Sequence, residues 1–125
     1  MPRSILIHVD NITLQAELND TPTAQQIYDA LPITATGNLW GDEIYFAIPV
    51  DAGGENLHEV VEKGDLGYWQ PGKAFCIFYG PTPASRGDEV RPASAVTVIG
   101  RITSDYSLLK NVSGSPRVTI ERASE

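Results

Sequence analysis

The sequence predicts a mainly β, barrel-like single domain over residues 1–125, carrying one real helix. Three observations carry this expectation. Apolar residues alternate with polar ones in several short runs, Gly, Pro, Asn and Asp punctuate those runs at close intervals, and one stretch alone switches to helical spacing.

Ile5, Ile7 and Val9 alternate with less apolar positions, and Ile12, Leu14, Ala16 and Leu18 alternate with Asn11, Thr13, Gln15, Glu17 and Asn19. A period of two gives strands with one wet face, and Asp10-Asn11 is turn chemistry, so the chain opens on a β-hairpin. The period then changes. Thr21 caps a helix with Pro22 at its first position, or Thr23 and Gln26 form a capping box, and Ala24, Ile27, Tyr28 and Leu31 recur at helical spacing until Pro32. Further strands are expected at Ile33–Trp40, Glu43–Ile48, Asp65–Trp69, Ala74–Tyr79, Ala95–Ile102 and Arg117–Glu121. A Gly41-Asp42 turn, a Gly53-Gly54 loop and a Pro-rich loop from Gly80 to Ser94 separate them. Leu57–Val61 is ambiguous, and Asp105–Leu109 reads as one helical turn.

Composition narrows the function classes. A chain of 125 residues suits one domain, and a domain of that size buries roughly two-thirds of its unfolded surface without a metal or disulfide staple. Cys76 is the single cysteine, so no internal bridge forms and nothing points to an oxidising compartment. The start, MPRSILIHVDN, is interrupted by His8 and Asp10 and reads as a strand, not a signal peptide. No run approaches the roughly 18 apolar residues of a spanning helix, so the expectation is a cytoplasmic protein without a membrane partner. The formal charge of −7 is spread along the chain, and Lys and Arg never cluster, which argues against nucleic acid as a partner.

Several motifs fail on inspection. Gly67 to Lys73 matches the first seven positions of a P-loop, but Ala74 stands where Ser or Thr must reach magnesium, and the strand-like AFCIFY follows where a helix is needed. Arg86-Gly87-Asp88 reads as a loop turn, and the sequons at Asn11 and Asn111 matter only in a secreted chain. His8, His58 and Cys76 lack any paired ligand spacing, so no metal and no cofactor is expected. Cys76, between Phe75 and Ile77, reads as an inert strand thiol.

The window Gly64 to Pro83 is the densest, holding five of the chain's ten aromatics: Tyr68, Trp69, Phe75, Phe78 and Tyr79. Gly64, Gly67, Pro71 and Gly72 read as turn and packing positions. Along Ala74–Tyr79, alternation puts Phe75, Ile77 and Tyr79 inward and Ala74, Cys76 and Phe78 outward, the reverse parity being the alternative.

Together these elements resemble the cyclophilins, and more closely the small bacterial and archaeal cyclophilin-like proteins. Glu17-Leu18 followed by Pro22, Thr23, Ala24 and Leu31 is similar to the cyclophilin strand-to-helix passage, and Gly64-Asp65-Leu66 to the opening of a central strand. Phe75 and Ile77 fall in a strand similar to Q-F-F-I-C, and Val98-Ile99-Gly100-Arg101-Ile102 is similar to V-F-G-K-V. The wording GDLGYWQPG and FCIFYGPTP resembles the small prokaryotic group itself. The resemblance implies a closed antiparallel β-barrel of about eight strands with one main helix and a short second one.

It also implies a place for prolyl isomerisation, which proceeds by holding the twisted transition state more tightly than either planar isomer. The family's R-x-x-x-x-F-x-x-Q signature is absent from this sequence. Its site Gln falls at Ala74, its pocket Phe at Cys76, and its later Trp and His near Arg91 and Val96, while Trp69 stands where a small residue lines the groove. The expectation is therefore a barrel that binds a small molecule or peptide at an aromatic groove without isomerase residues. The alternatives are an isomerase with an altered site, or an enzyme of another class with Glu43 or Asp65 as base.

If Ile44, Phe46 and Ile48 point inward, Glu43, Tyr45 and Ala47 point outward beside that groove. The candidate ligand-binding residues are Glu43, Tyr45, Trp69, Phe78, Thr82 and Arg86. A carboxylate beside aromatics suits an amine or guanidinium, or a general base if desolvated. Against this stand plainer readings: Glu43 as a solvated strand-end charge, Trp69 as a barrel cap, Asp65 as a turn residue, Thr82 and Arg86 as loop. An aromatic patch would also allow a homodimer.

Overall fold

The computed structural model describes residues 3–123, so Met1 and Pro2 of the opening stretch and the last two residues lie outside the description. Ten strands form one antiparallel sheet: β1 (Arg3–Val9), β2 (Ile12–Leu18), β3 (Ile33–Thr36), β4 (Asn38–Leu39), β5 (Glu43–Ala47), β6 (Leu57–His58), β7 (Asp65–Trp69), β8 (Ala74–Phe78), β9 (Val96–Ile102) and β10 (Arg117–Arg122). The order is β3-β10-β1-β2-β9-β7-β8-β5-β4, with β6 added to β9 off that path. The first and last members of the path are consecutive in the chain, joined only by Gly37.

That junction closes the barrel. β3 pairs with β10, β4 pairs with β5, and the Gly37 amide donates to the Pro116 carbonyl at 2.7 Å. A Cβ at Gly37 would lie 3.0 Å from the Ile44 side chain and 3.3 Å from those of Pro116 and Val118, so the corner turns where a side chain would crowd the core. Counted as one bent strand, β3 and β4 leave eight staves around the wall, as the resemblance implies.

The opening hairpin pairs Arg3 with Leu18 through Val9 with Ile12, and its alternation sends Ile5, Ile7, Val9, Leu14, Ala16 and Leu18 into the barrel. The helix α1 (Pro22–Ala30) covers one end. Thr21 caps it, its hydroxyl accepting from the Ala24 amide at 3.2 Å, with Pro22 in the first turn. Thr23 does not close a capping box with Gln26. Its amide and hydroxyl donate to the Glu55 carboxylate at 2.8 and 2.7 Å, tying the 53–55 loop to the helix start. The second helical segment is a short 3-10 helix over Ser107–Asn111, and no helix of the described residues is long and apolar enough to cross a membrane. The Gln70–Gly72 stretch of the apparent P-loop is another 3-10 turn that delivers the chain into β8.

β8 explains the run AFCIFY. Every residue from Ala74 to Phe78 is buried, because the strand has apolar neighbours on both faces. Phe75 and Ile77 join the barrel core, where Phe75 stacks on Phe46 at 5.5 Å between ring centroids. Ala74, Cys76 and Phe78 join a second cluster outside the barrel with Val61, Val90 and Val96. The Pro81–Ser94 strap covers that cluster, held by the Val61–Val90 bridge.

Close approach of β9 to β2 yields a stability prediction. A Cβ at Gly100 would meet the Glu17 carbonyl oxygen at 2.1 Å and the Leu18 Cα at 2.9 Å, both backbone atoms of the paired strand. Gly100→Ala is expected to lower unfolding free energy by about 3 kcal/mol or more, read from urea denaturation. An unchanged midpoint would mean the strands separate freely at this point.

Candidate functional site

Outside the barrel, between the β5-β8-β7 wall and the strap, lies a cleft of about 270 Å³. Trp40, Glu43, Tyr45, Trp69, Cys76, Pro92, Ala93 and Val96 form its lining. Strand parity selects those on β5, β7 and β8: Tyr45 stands opposite Cys76 and Trp69 opposite Ala74 in the ladders, all on the outer face, while Ile44, Phe46, Phe75 and Ile77 go inward.

A tight turn brings Trp40 to the same place as Glu43. The Trp40 amide donates to the Glu43 carbonyl at 3.0 Å, closing the Gly41-Asp42 turn, and the Asp42 amide donates to the Pro81 carbonyl at 2.9 Å, docking that turn against the strap. On the far side the Trp69 indole N–H donates to the Ser94 hydroxyl at 2.7 Å, which locks the ring against the other end of the strap.

Glu43 is only 6% exposed. The ion pairs of the described residues lie elsewhere, on Asp20, Asp42, Asp51, Glu89 and Glu121. Burial pushes the Glu43 carboxyl from the ordinary 4.5 up to about 7, a rise partly opposed by the Cys76 thiol beside it. Burial and the neighbouring Glu43 charge in turn push the Cys76 thiol well above its ordinary range, so at neutral pH the cleft holds a protonated thiol.

Of the residues singled out from sequence, Glu43, Tyr45 and Trp69 come together, and three do not join them. Phe78 is placed differently from the exposed wall residue expected. It does point outward, but outward there means into the second apolar cluster, and it is wholly buried. Thr82 is 7% exposed and serves the strap: its hydroxyl donates to the Arg91 carbonyl and accepts from the Ala84 amide at 3.2 Å. Arg86 is exposed at the loop tip, where its amide donates to Glu89 at 3.1 Å. Asp65 accepts from the Glu62 amide at 2.9 Å as a turn residue, and borders a separate shallow groove with Glu17, Asn19 and Arg101.

Sequence reasoning missed Trp40, Pro92 and Ala93. Trp40 carried a signal, a tryptophan directly before a Gly-Asp turn and three residues from Glu43. Pro92 and Ala93 carried none, since only docking of the strap brings them over β8. Among the described residues, no three His, Cys, Asp or Glu side chains gather as a metal site requires.

A carboxyl neutral in the native state up to about pH 7, and ionised above about 4.5 when unfolded, favours folding at low pH. That contribution is complete below about 4.5 and is lost as pH rises through about 7. Glu43→Gln is therefore expected to be more stable than the parent at pH 8, by on the order of 3 kcal/mol, with the difference vanishing near pH 4. Denaturation midpoints across that range check the sign, and a parent whose advantage grows with pH would reverse it.

A protein-family model described as cyclophilin-like matches residues 3–121. A hypothetical protein of Archaeoglobus fulgidus, solved in solution, is 46% identical to this chain and aligns over 98% of it and 95% of its own length, with a TM-score of 0.84. No curated protein matches. The barrel closed at Gly37, the helix entered through Thr21-Pro22 and the family match over nearly the whole length agree, and the chain belongs to the cyclophilin-like family.

Proposed function

We propose that the protein is a binding module that holds a small molecule, or one side chain of a peptide, in the cleft beneath the strap. The observation that carries this reading is one acidic side chain, almost fully buried, opening into a hollow walled by Trp40, Tyr45 and Trp69. Ligand sites share that composition: apolar and aromatic walls that supply affinity, with few polar groups that fix orientation. The position also supports it. Cys76 and Val96, which by resemblance fall at or near the family's pocket residues, both line the cleft.

Binding without covalent chemistry is favoured because the only thiol in the cleft is held protonated. A second reading rests on one observation. A carboxyl brought to about 7 by desolvation is matched to proton transfer near neutral pH, so Glu43 would serve as a general base toward a bound carbon or nitrogen acid. Prolyl isomerisation is the less favoured alternative, since Ala74 and Cys76 offer neither the amide nor the aromatic ring that the resemblance assigns there.

Titration of the labelled protein with a fragment set, followed by amide and indole NMR shifts, tests the binding reading. Shifts are expected at the Trp40 and Trp69 indoles and at Ala93–Val96, and a Trp69→Ala variant is expected to weaken them roughly tenfold. Shifts confined to the groove of Asp65 and Arg101, or none at all, would overturn it. In a proline-isomerisation assay at protein excess, the expected rate is background. Acceleration that disappears in Trp69→Ala would replace the binding module with an isomerase.

A further inference from the structure

We infer that the occupant of this cleft is an organic cation, an alkylammonium or guanidinium on a short apolar stem, with its charge against Glu43 and its stem among Trp40, Tyr45 and Trp69. The inference rests on the cleft being a binding site and names what it binds.

Glu43 has no counter-ion among the described residues. At 6% exposure its carboxyl is satisfied by its proton, by the little water that reaches it from the cleft, or by a positive charge that displaces that water. Among the described residues no protein cation supplies the charge. Arg3, His8, Lys73, Arg91 and Lys110 are engaged with other acids, and no Lys or Arg lines the cleft.

The walls favour the same occupant. Three aromatic rings around an acid form the arrangement that attracts a desolvated cation, through the negative ring faces as well as the carboxylate. An anionic ligand finds no positive charge there, since no Lys or Arg lines the cleft. The Trp69 N–H is committed to Ser94, and the Trp40 indole and Tyr45 hydroxyl offer a ligand hydrogen bonds but no charge. The chain's formal charge of −7 adds a field of the same sign. The size agrees: about 270 Å³ lies just below the roughly 300–1,000 Å³ of drug-sized sites, which suits one charged group and a few methylenes.

Cation binding must displace the Glu43 proton where that proton is present. The titratable groups facing Glu43 are few: Cys76 on β8, and Tyr45 on its own strand. Trp69 on β7, Val96 on β9, and Pro92 and Ala93 of the strap bring none.

Both tryptophans of the chain line the cleft, so fluorescence excited selectively at tryptophan, beyond tyrosine absorption, reports on this site. The ligands to titrate at pH 8 are n-butylammonium, n-butylguanidinium, the neutral and slightly longer alcohol n-pentanol, and the blocked tripeptide Gly-Lys-Gly. Saturable changes with the cations are expected, weakened roughly tenfold or more in Glu43→Gln while pentanol is unaffected. Binding by the tripeptide as tight as by butylammonium assigns the cation to a lysine side chain, and binding by free amines alone assigns it to a small molecule. Calorimetry of the parent at pH 6.5, in buffers of differing ionisation enthalpy, is expected to show proton release with the cations and none with pentanol. That measurement needs no variant. Pentanol binding as tightly as butylammonium, without proton release on amine binding, would overturn the cation and leave the binding module standing. If nothing in the fragment set, neutral or charged, perturbs either tryptophan, both readings fall.

Discussion

Burial of β8 on both faces is the constraint on which the rest of this molecule depends. A strand of a one-layer barrel ordinarily gives alternate side chains to water, but Ala74, Cys76 and Phe78 are as fully enclosed as Phe75 and Ile77 between them. The inward pair fills the barrel against Phe46, while the outward three require a cover that no helix provides. The strap supplies it, bridging Val61 to Val90 and pinned at its ends by the Asp42–Pro81 and Trp69–Ser94 hydrogen bonds. Each large side chain enclosed in this way contributes about 1.5–3 kcal/mol, which is why a long Pro-rich segment lies down instead of waving in solvent.

The cover does not fit flush, and the cleft is the gap. Phe78 and Val96 fill one part of the space under the strap, whereas Cys76 is too small to fill the next, and Tyr45 and Trp69 stand at its sides. Glu43 enters this space because β5 begins against the strap, just after the Gly41-Asp42 turn. Its desolvation is thus a consequence of the covering that stabilises β8. A surface carboxylate with an ordinary titration becomes one poised near neutrality by the same apolar contacts that hold the outer cluster together. The Thr82–Arg91 hydrogen bond and the Glu89–Arg91 ion pair stiffen the strap from within, so the gap keeps its shape.

Much of the barrel could be read along the chain. Alternation in Ile5–Leu18 placed both faces of the first hairpin, Thr21-Pro22 marked the helix start, and the parity of Ala74–Tyr79 separated Phe75 and Ile77 from Cys76 and Phe78 correctly. Parity says which side of a sheet a residue takes, not whether that side is wet. Phe78 shows the difference: its direction followed from its neighbours in sequence, but its burial came from Val61, Val90 and Val96, at distances along the chain that no local pattern registers. The single run Ile33–Trp40 likewise read as one strand, and the bend at Gly37 that shares it between β10 and β5 depends on the Ile44, Pro116 and Val118 side chains crowding that point.

The linear order of residues was therefore sufficient for most strands and turns, for the helix start and for the family likeness, and it offered the outward aim of Glu43, Tyr45 and Trp69 as one of two parities. Each of these is set by backbone preference and side-chain period over a few neighbouring residues. Folding in three dimensions settled which outward residues share a hollow, that Trp40, Pro92 and Ala93 belong with them, and that Glu43 is largely desolvated. Such desolvation is not a property of any segment. It arises where β5, β7, β8, β9 and the strap meet, and desolvation by such a meeting is a sum over contacts between parts of the chain that composition and spacing cannot bring together.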